Sequence, residues 1–466
     1  MVITRVTGTI NFDGIPDEEA WKAIQPLPMV MFMPKEGGEP TESSEVKVTY
    51  DNEYLYLGSV YSSKNSADIR AIGKKRDYAT GSTDWLGFIV DSFNDKKNGV
   101  SFWTNPNGLR TDAALKNDVV DSNTDVNFTW NTFWDAKTKI TNDGWSAEFR
   151  IPFSSLRFQV HDGKCIMGIK VIRLIASKFE FESFPAISPD FGNAMWMPSL
   201  TREVLFEGIK PVKPVYAAPY VTAGLGQTNE LNDAETAYEL KSTLKYDAGL
   251  DVKFSLTNNL TADITINTDF AQVEADDEKI NLTRYSLYFP EKRTFFQEKS
   301  DVFDFSFYDN NNLFYSRRIG LYDGHPVRIF GGARLTGRIN KWDVGFLDLQ
   351  TGKYGENPSE NFGVLRTKRT VFNQNSYIGA IITSRAGMNG YYNVDYGIDG
   401  QFRIMGDDYL TVRWAQTIER DSSFRIFDPS SAKVMALWEH RNQKGFGYDF
   451  LVTRSGEKYN PGCGFE

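Results

Sequence analysis

The sequence predicts an all-β protein in two parts. The first is an N-terminal β-sandwich of jelly-roll-like character, and the second is a long antiparallel meander that forms part of a transmembrane β-barrel. Apolar and polar residues alternate with a period of two in many segments, helical signal is slight, and the alternating segments lengthen after about residue 216. The clearest of them is "YYNVDYGIDGQFRI", residues 391–404, which exceeds the usual strand of about five or six residues.

Composition narrows the class of protein. The chain has 466 residues, which predicts two or three domains. Its net charge is −9, its mean hydropathy is −0.42, and it lacks a run of about 18 apolar residues. These features exclude a helical membrane protein and a basic nucleic-acid-binding surface, so no nucleic-acid partner is expected. A membrane β-barrel stays compatible, since its strands present only alternate residues to lipid.

Residues 1–208 read as short strands joined by turns. "EVKVTYDNEYLYLGSVYSS" predicts a hairpin, Asn142-Asp143-Gly144 is a strong turn signal, and "CIMGIKVIRLIAS" suits a central strand. Many short strands with regular turns indicate a β-sandwich. The proline-rich stretch "GIKPVKPVYAAPYV" follows, and we place a linker at residues 209–215.

Residues 216–466 predict longer, two-faced strands that need closure or cover at their edges. Length and aromatic content favour a barrel, whereas a soluble sandwich gives the same alternation with shorter strands. Residues 270–305 predict a packed inclusion instead of a wall strand. In the barrel, Ile398→Arg should impair assembly and Asp399→Arg should be tolerated. The residues predicted to face lipid are Tyr392, Val394, Tyr396, Ile398, Phe402 and Ile404, and those predicted to face a polar lumen are Asn393, Asp395, Asp399, Gln401 and Arg403.

The two ends of the sequence lead to different expectations about location. "MVITRVTGTINFDGIP" has no features of a secretory signal, which taken literally predicts a cytoplasmic protein. The alternatives are a signal already removed or a fragment of a longer chain. "GFGYDFLVTRSGEKYNPGCGFE" stops after a strong strand, which favours the fragment and predicts a barrel truncated at its C-terminus.

Motifs for catalysis or metal binding are absent. Cys165 and Cys463 lie far apart, the three histidines are not spaced as metal ligands, and no nucleophile elbow, zinc helix or phosphate loop occurs. With 61 acidic residues, a pair of carboxylates suited to glycoside hydrolysis arises by chance. An enzyme is therefore the less favoured class. Asp84, Asp91 and Asp95 flank one strand and could bind a structural calcium ion, although their spacing fits no defined calcium loop and solvated turn acids are the favoured explanation.

The N-terminal region is rich in tryptophan, whose flat face can stack on a sugar ring. Most of these side chains are expected in the core, but Trp103, Trp130 and Trp134 lie nearer to loops. Polar residues around them could hold sugar hydroxyls. The candidate glycan-binding residues are Trp103, Trp130, Trp134, Asn105, Asn107 and Arg110.

Four blocks of the N-terminal part resemble family 9 carbohydrate-binding modules. These blocks are "INFDGIPDEEAW", "WLGFIVDSFND", "FWTNPNGLRTDA" and "GWSAEFRIPFSSL", in the same order as in the family. The resemblance covers residues 3 to about 205. It implies a β-sandwich that binds glycans through a pair of aromatic residues on loops.

Three later blocks resemble an uncharacterised family that follows this module in surface proteins of Gram-negative bacteria. They are "NTDFAQVEADDEKINLTRYSLYFPEKRTFFQE", "LFYSRRIG" and "GGARLTGR". The resemblance implies an outer-membrane β-barrel without an established activity. The charged residues of these blocks suit a cluster in the lumen, formed by Asp276, Asp277, Glu278, Glu291, Arg293, Arg317 and Arg318.

These patterns predict a carbohydrate-binding outer-membrane protein whose sandwich recognises a glycan and whose barrel is an anchor or a pore. The expected partners are a glycan and outer-membrane lipid, and the oligomeric state is left open. Two alternatives remain. One is a hydrolase of O-glycosyl bonds in carbohydrate catabolism, and the other is a structural envelope protein that binds no sugar.

Overall fold

The computed structural model describes residues 1–63, 65–77, 81–128, 130–211, 215–232, 236–257, 259–268, 287–289, 291, 293–297, 300–308, 311–322, 325–420, 425 and 427–466. Strands make up most of this part of the chain, and the predicted all-β class is confirmed. Helices are single turns. They are α1 (Glu19–Lys22), α2 (Ser122–Asp125) and α3 (Thr294–Gln297), with 3₁₀ turns at Ser66–Asp68, Asn117–Val119, Pro198–Leu200, Ser300–Phe303, Ser316–Arg318 and Pro429–Ser431.

The first part of the chain folds as two antiparallel sheets, which we call the sandwich. One sheet has the order β1-β11-β10-β4-β5-β6-β7, with β12 also paired to β10, and the other has the order β2-β3-β9-β8. The strands are β1 (Val30–Met33), β2 (Ser44–Tyr50), β3 (Tyr54–Ser62), β4 (Trp85–Asp91), β5 (Gly99–Thr104), β6 (Arg110–Leu115), β7 (Val126–Asn127), β8 (Asp135–Thr141), β9 (Gly144–Pro152), β10 (Lys164–Ile175), β11 (Glu180–Phe184) and β12 (Arg202–Glu207).

The sandwich core lies between the two sheets. Phe88, Phe102 and Phe149 are among the side chains with no exposed surface in this core. The opposite face of the larger sheet is covered by loops, which bury Ile89 and Trp103 in a second apolar cluster. Every residue of β4 is therefore buried, although alternate residues point to opposite faces.

The second part of the chain forms one antiparallel meander, which we call the long sheet. Among the described residues its order is β13-β14-β15-β18-β19-β20-β21-β22-β23-β24-β25, and β16 and β17 form a separate hairpin. The strands are β13 (Val215–Leu231), β14 (Tyr238–Ser255), β15 (Leu260–Ile266), β16 (Leu321–Tyr322), β17 (His325–Pro326), β18 (Ile329–Ile339), β19 (Trp342–Thr351), β20 (Glu360–Thr370), β21 (Tyr377–Gly387), β22 (Tyr392–Met405), β23 (Asp408–Glu419), β24 (Ala432–His440) and β25 (Asp449–Ser455).

One face of the long sheet is covered by chain that is not part of it. We call this the inner face, and the covering chain the inner segment: the described residues between 287 and 319. Phe303 and Phe305 of this segment pack against Phe362 and Ile381 of the sheet. The predicted packed inclusion is thus observed for the described part of residues 270–305, and residues 270–286 lie outside the described part of the chain.

The sandwich docks on one end of the long sheet. The Arg338 guanidinium, at the β18–β19 turn, lies 3.1 Å from the Asp95 carboxylate of the sandwich. The backbone N–H of Gln443 donates to the carbonyl of Asp190 at 2.6 Å. Between the two parts, β12 ends at Glu207 and β13 begins at Val215, close to the predicted linker. Independent folding of the two parts stays a prediction.

Candidate functional site

Two of the three candidate tryptophans belong to the hydrophobic core. Trp103 and Trp134 have only 7% and 3% of their surface exposed. The Trp134 ring packs edge-on against Phe102 and Phe149, with ring centres 5.1 and 5.2 Å away. A sugar ring needs an open aromatic face, so the sequence-based assignment of Trp103 and Trp134 to a glycan platform is corrected.

The polar candidates near these tryptophans hold the backbone of their own loops. The Asn105 side chain has no exposed surface, and its carbonyl oxygen accepts from the backbone N–H groups of Asn107 and Leu109, both at 3.1 Å. The Asn107 amide donates to the Ala71 carbonyl at 2.8 Å. Arg110 donates to the Trp134 carbonyl at 2.5 Å and pairs with Asp135. These contacts assign the three residues to loop architecture instead of ligand binding.

Trp130 has a different position, on the wall of a cavity between the sandwich and the long sheet. The cavity has a volume of about 670 Å³. Phe133 of the sandwich and Tyr216 of β13 also line it, and their rings stack with centres 5.8 Å apart. The inner segment contributes Phe295 and Val302. This cavity is therefore bounded by all three parts of the molecule.

Charged side chains line the same cavity and are ion-paired within its wall. Asp263 lies 3.7 Å from the Lys253 ammonium and 3.1 Å from the Arg334 guanidinium. Arg338 bridges Asp95 at 3.1 Å and Asp343 at 2.5 Å. The arrangement mixes aromatic surface with paired hydrogen-bonding groups, as ligand pockets in proteins commonly do.

The Asp95 carboxylate is held ionised at this junction. Burial acts to raise its pKa, but the Arg338 guanidinium and the backbone N–H groups of Asn98 and Lys97 together keep that pKa below its usual value. The neighbouring Asp91 behaves oppositely, since burial and then the Asp95 charge raise its pKa well above the usual range. The Asp95 carboxylate therefore contributes an ion pair with Arg338 to the contact between the sandwich and the long sheet.

The three aspartates proposed for calcium do not converge. Asp84 directly precedes β4 and Asp91 ends it, so the two lie about 23 Å apart at the rise of an extended strand. Asp84 accepts from the backbone N–H of Ala176 at 2.8 Å, and Asp91 accepts from those of Asp95 and Lys96. The predicted site of Asp84, Asp91 and Asp95 is corrected on this geometry. In the part of the chain that the structure describes, no three His, Cys, Asp or Glu residues form a group that could hold a metal ion.

The predicted lumen cluster is only partly within the described residues. Asp276, Asp277 and Glu278 lie outside them. Glu291 and Arg293 form a two-bond ion pair at 2.7 and 2.9 Å, and Arg293 also donates to the carbonyls of Ser316 and Ile319 at 2.8 Å. Arg317 is buried beside Phe289, while Arg318 is exposed. Glu291 and Arg293 therefore connect distant parts of the inner segment through hydrogen bonds.

The two faces of the long sheet differ in exposure and in charge. Cross-strand partners on the five strands β18 to β22 form rows across the sheet. One such row is apolar and points away from the inner segment. The adjacent row, one residue further along each strand, points to the inner face and includes charged groups. The outward row is Leu335, Phe346, Leu365, Ile382 and Tyr396, and the inward row is Arg334, Leu347, Val364, Thr383 and Asp395.

Strand β22 shows the same division, in the register that the sequence predicted. Tyr392, Ile398 and Ile404 are exposed on the outward face, with 41%, 60% and 58% of their surfaces accessible. On the inward face, Asp399 accepts two hydrogen bonds from Arg366 at 2.6 and 2.7 Å, and both side chains are buried. Within the described ranges, no helix has the length and apolar character needed to cross a membrane.

Reasoning from sequence missed several cavity residues. Phe133, Tyr216 and Lys253 come from three distant stretches of the chain, and nothing in their local patterns distinguishes them. Phe133 lies between Trp130 and Trp134 in a segment already singled out for its aromatics. Phe133 is 68% exposed, whereas the adjacent Trp134 is buried in the sandwich core.

Comparison with known proteins yields a limited set of similarities. Residues 216–329 match the model of a family described as a domain of unknown function, DUF5916. No curated protein matches the chain. A protein of Bacteroides uniformis, described as a "putative carbohydrate-binding protein", is 14% identical with a TM-score of 0.36, over 44% of this chain and 98% of that one. An anion-selective porin from Comamonas acidovorans is 9% identical with a TM-score of 0.24, over 89% of this chain and 94% of that one.

Proposed function

We propose that this chain is an outer-membrane protein of a Gram-negative envelope, in which the long sheet lies in lipid and the sandwich binds carbohydrate beside it. The observation that carries the proposal is that the exposed face of the long sheet is apolar, whereas charged groups are confined to its buried face. Transmembrane β-strands direct apolar residues toward lipid and polar residues toward the interior. The outward row through Leu365 is apolar on neighbouring strands, and Arg366 and Asp399 are buried on the inward face.

The outward face is difficult to reconcile with water as its surroundings. Large apolar side chains such as Phe346, Ile382 and Ile398 are between 40% and 60% exposed there. Soluble monomers rarely expose a continuous apolar patch of more than a few hundred Å². Hydrocarbon could cover this surface without leaving backbone groups unsatisfied. Each strand of the long sheet between β13 and β25 is already hydrogen-bonded to a neighbouring strand on both sides.

The inner face supports the same assignment. Its charges are paired or bonded to the inner segment: Arg366 binds Asp399 and the carbonyl of Asp304, and Lys368 donates to the carbonyl of Asp301 at 2.8 Å. A buried charge is tolerated only where such partners exist. The inner segment thus fills the space that the polar face surrounds, as a plug does in a barrel lumen.

The carbohydrate part of the proposal is supported by the chemistry at the sandwich surface. Trp130 and Phe133 present aromatic surface to a cavity that also contains charged hydrogen-bonding groups. Aromatic faces suit the C–H groups of a sugar ring, and charged groups suit its hydroxyls. A purely structural envelope protein would share the long sheet but would bind no sugar.

The membrane assignment is tested by extraction of the full chain from cells of a Gram-negative host. We expect the protein in the outer-membrane fraction, resistant to carbonate at high pH and released by detergent. A lipid with a photoreactive acyl chain should label outward residues such as Leu365 and Ile382. Buried sandwich residues such as Phe88 are the internal control and should remain unlabelled. Recovery of folded protein in buffer without detergent would refute the proposal.

A further inference from the structure

We infer that the cavity between the sandwich and the long sheet is a binding site for a neutral carbohydrate, which would contact the sandwich, the sheet and the inner segment together. This inference rests on the proposed function, because it takes the ligand to be a sugar. The cavity volume, about 670 Å³, falls within the range of about 300–1,000 Å³ usual for small-molecule sites. A site for a short oligosaccharide is therefore consistent with its size.

Aromatic residues form one wall of the cavity. Phe133 keeps 68% of its surface exposed although it is adjacent in sequence to the buried Trp134. Its ring stacks on Tyr216 of the long sheet at an interplanar angle of 23°. Trp130 stands beside them and is only partly buried against the sandwich core. This wall offers ring faces at the point where the two parts of the protein meet.

Paired charges line the cavity next to the aromatic wall, because Lys253 is the cross-strand neighbour of Tyr216. Lys253 and Asp263 face each other on β14 and β15, and Arg338 is shared between Asp95 and Asp343. Each of these three carboxylates already has a cationic partner, and among the described residues the whole lining has five carboxylates against three cationic side chains, so an anionic ligand is disfavoured. A neutral ligand avoids that cost.

The paired groups retain hydrogen-bonding capacity that suits hydroxyls. An ionised carboxylate has about four acceptor positions, and an ammonium has three donors. Asp263 accepts two hydrogen bonds from Arg334, at 3.3 and 3.1 Å, and lies 3.7 Å from the Lys253 ammonium. A hydroxyl is both donor and acceptor, and it can therefore bridge the two members of a pair such as Lys253 and Asp263. Combined with the aromatic wall, this pattern favours a sugar over a purely apolar ligand.

The inner segment gives the site a third side. Phe295, Asp301 and Val302 line the cavity, and the carbonyl of Asp301 accepts a hydrogen bond from Lys368 on the inner face of the sheet. A ligand in the cavity would therefore touch the segment that fills the long sheet. The site lies at the docked end of the sheet, where a sugar would meet both the recognition domain and the inner segment.

The test uses the full chain purified in detergent micelles. Its ligands are neutral oligosaccharides of glucose, xylose, mannose and galactose, with an oligogalacturonate as the charged comparison, and binding is measured by isothermal titration calorimetry. We expect at least one neutral series to bind and the oligogalacturonate to bind more weakly. Trp130→Ala and Phe133→Ala should each weaken that binding about tenfold, on the scale of stacking on an aromatic face.

A matched control and a filling variant make the result specific. Phe179→Ala removes a phenylalanine of similar exposure, 64%, from the sandwich outside the cavity lining, and should leave affinity unchanged. Ala218→Trp adds volume at a lining position on β13 without removing any functional group, and should abolish binding. Because Phe133 is exposed, its replacement tests the site even if Trp130→Ala fails to fold.

The outcomes separate this inference from the proposed function. Binding that survives Phe133→Ala and Ala218→Trp would place the sugar elsewhere and overturn the inference, while sugar binding itself remained. No binding by any neutral oligosaccharide would overturn both the inference and the carbohydrate part of the proposed function, while extraction with detergent would still report the membrane part. Tighter binding of the oligogalacturonate would overturn the argument from paired charges.

Discussion

The sandwich and the long sheet share the same alternation of apolar and polar residues, but their apolar residues face in opposite directions. In the sandwich, apolar residues such as Phe88 and Phe149 point inward and have no exposed surface. In the long sheet, apolar residues such as Ile382 and Ile398 point outward, while Arg366 and Asp399 are buried on the other face. A period of two therefore identifies a strand with two unlike faces, but it does not identify the medium that each face meets.

The difference has an energetic counterpart. In the sandwich, hydrophobic burial supplies the driving force, at about 25 cal/mol for each Å² removed from water. In the long sheet, the buried side combines apolar contacts with ion pairs and hydrogen bonds, and the desolvation of those charges is offset only while both partners are present. The two parts should accordingly fail in different ways when they are mutated.

The largest effect is expected in the sandwich core, at Trp134. Trp134→Ala removes a 3% exposed indole that contacts Phe102 and Phe149, and should lower the free energy of unfolding by about 3–5 kcal/mol. The adjacent Phe133→Ala, at a 68% exposed position, should change it by no more than about 0.5 kcal/mol. Urea unfolding followed by tryptophan fluorescence measures both. Equal losses at the two positions would contradict the assignment of Trp134 to the core.

A comparable loss is expected on the inner face of the long sheet. Asp399→Ala leaves the buried Arg366 guanidinium without its two-bond partner, at a cost of about 3–5 kcal/mol. The sequence alone predicted that Asp399→Arg would be tolerated. The structure reverses that expectation, since a second guanidinium would stand beside the first.

The control for the buried pair is a partly exposed pair at the end of the same strand. Asp407→Ala breaks the contact with Arg403, whose side chain is 38% exposed, and should cost about 0–1 kcal/mol. Both variants are compared by unfolding in the same detergent micelles. If Asp399→Ala were as mild as Asp407→Ala, the inner face would have to be open to water.

An intermediate effect is expected on the outward face, where it depends on depth. Ile398→Arg at the middle of β22 should cost about 2–4 kcal/mol in a bilayer, and Ile404→Arg near its end about 0–1 kcal/mol. The two isoleucines are almost equally exposed, at 60% and 58%, so water would not distinguish them. Folding into vesicles, followed by the heat-dependent mobility of the folded form, gives the comparison. Equal behaviour would argue against lipid on this face.

The last effect is gradual and concerns the pH dependence of the stability of the sandwich. Burial lowers the pKa of Lys170 to about 7, compared with 10.5 for a lysine that is exposed to water. The Lys170 side chain donates hydrogen bonds to the carbonyls of Ala194 and Met197, both at 2.7 Å. Between these two pKa values the unfolded chain binds more protons than the folded chain. Stability therefore rises with pH across this window, by at most about 1.4 kcal/mol per pH unit, and this contribution becomes constant below about pH 7.

Lys170→Met should remove that slope between pH 7 and 9. Lys164→Met, at an exposed position on the same strand, should preserve it. The measurement is the urea midpoint at each pH in matched buffers. A slope that persists in Lys170→Met would assign the dependence to another group.

Part of the candidate site was accessible from the sequence. Trp130 was among the aromatics singled out near loops, and it does line the cavity. Trp103 and Trp134 belong to the same pattern but are buried, because the strands and loops around them pack on both sides of the larger sheet. Closeness to a turn in sequence does not determine which side of a ring is covered. Tyr216 and Lys253 pair on neighbouring strands of the long sheet, and Phe133 meets them only through the docking of the two parts.

The sequence by itself determined the all-β class, the change from short to long strands, and the register of β22, because side chains of an extended chain must alternate between two faces. It also indicated a packed inclusion, since residues 270–305 are charged and aromatic with weak alternation. The tertiary structure decided which partners those faces meet: Arg366 for Asp399, Arg338 for Asp95, and Tyr216 for Phe133. Such contacts join residues more than 30 positions apart, and a local pattern of residues carries no information on which distant segment will cover it.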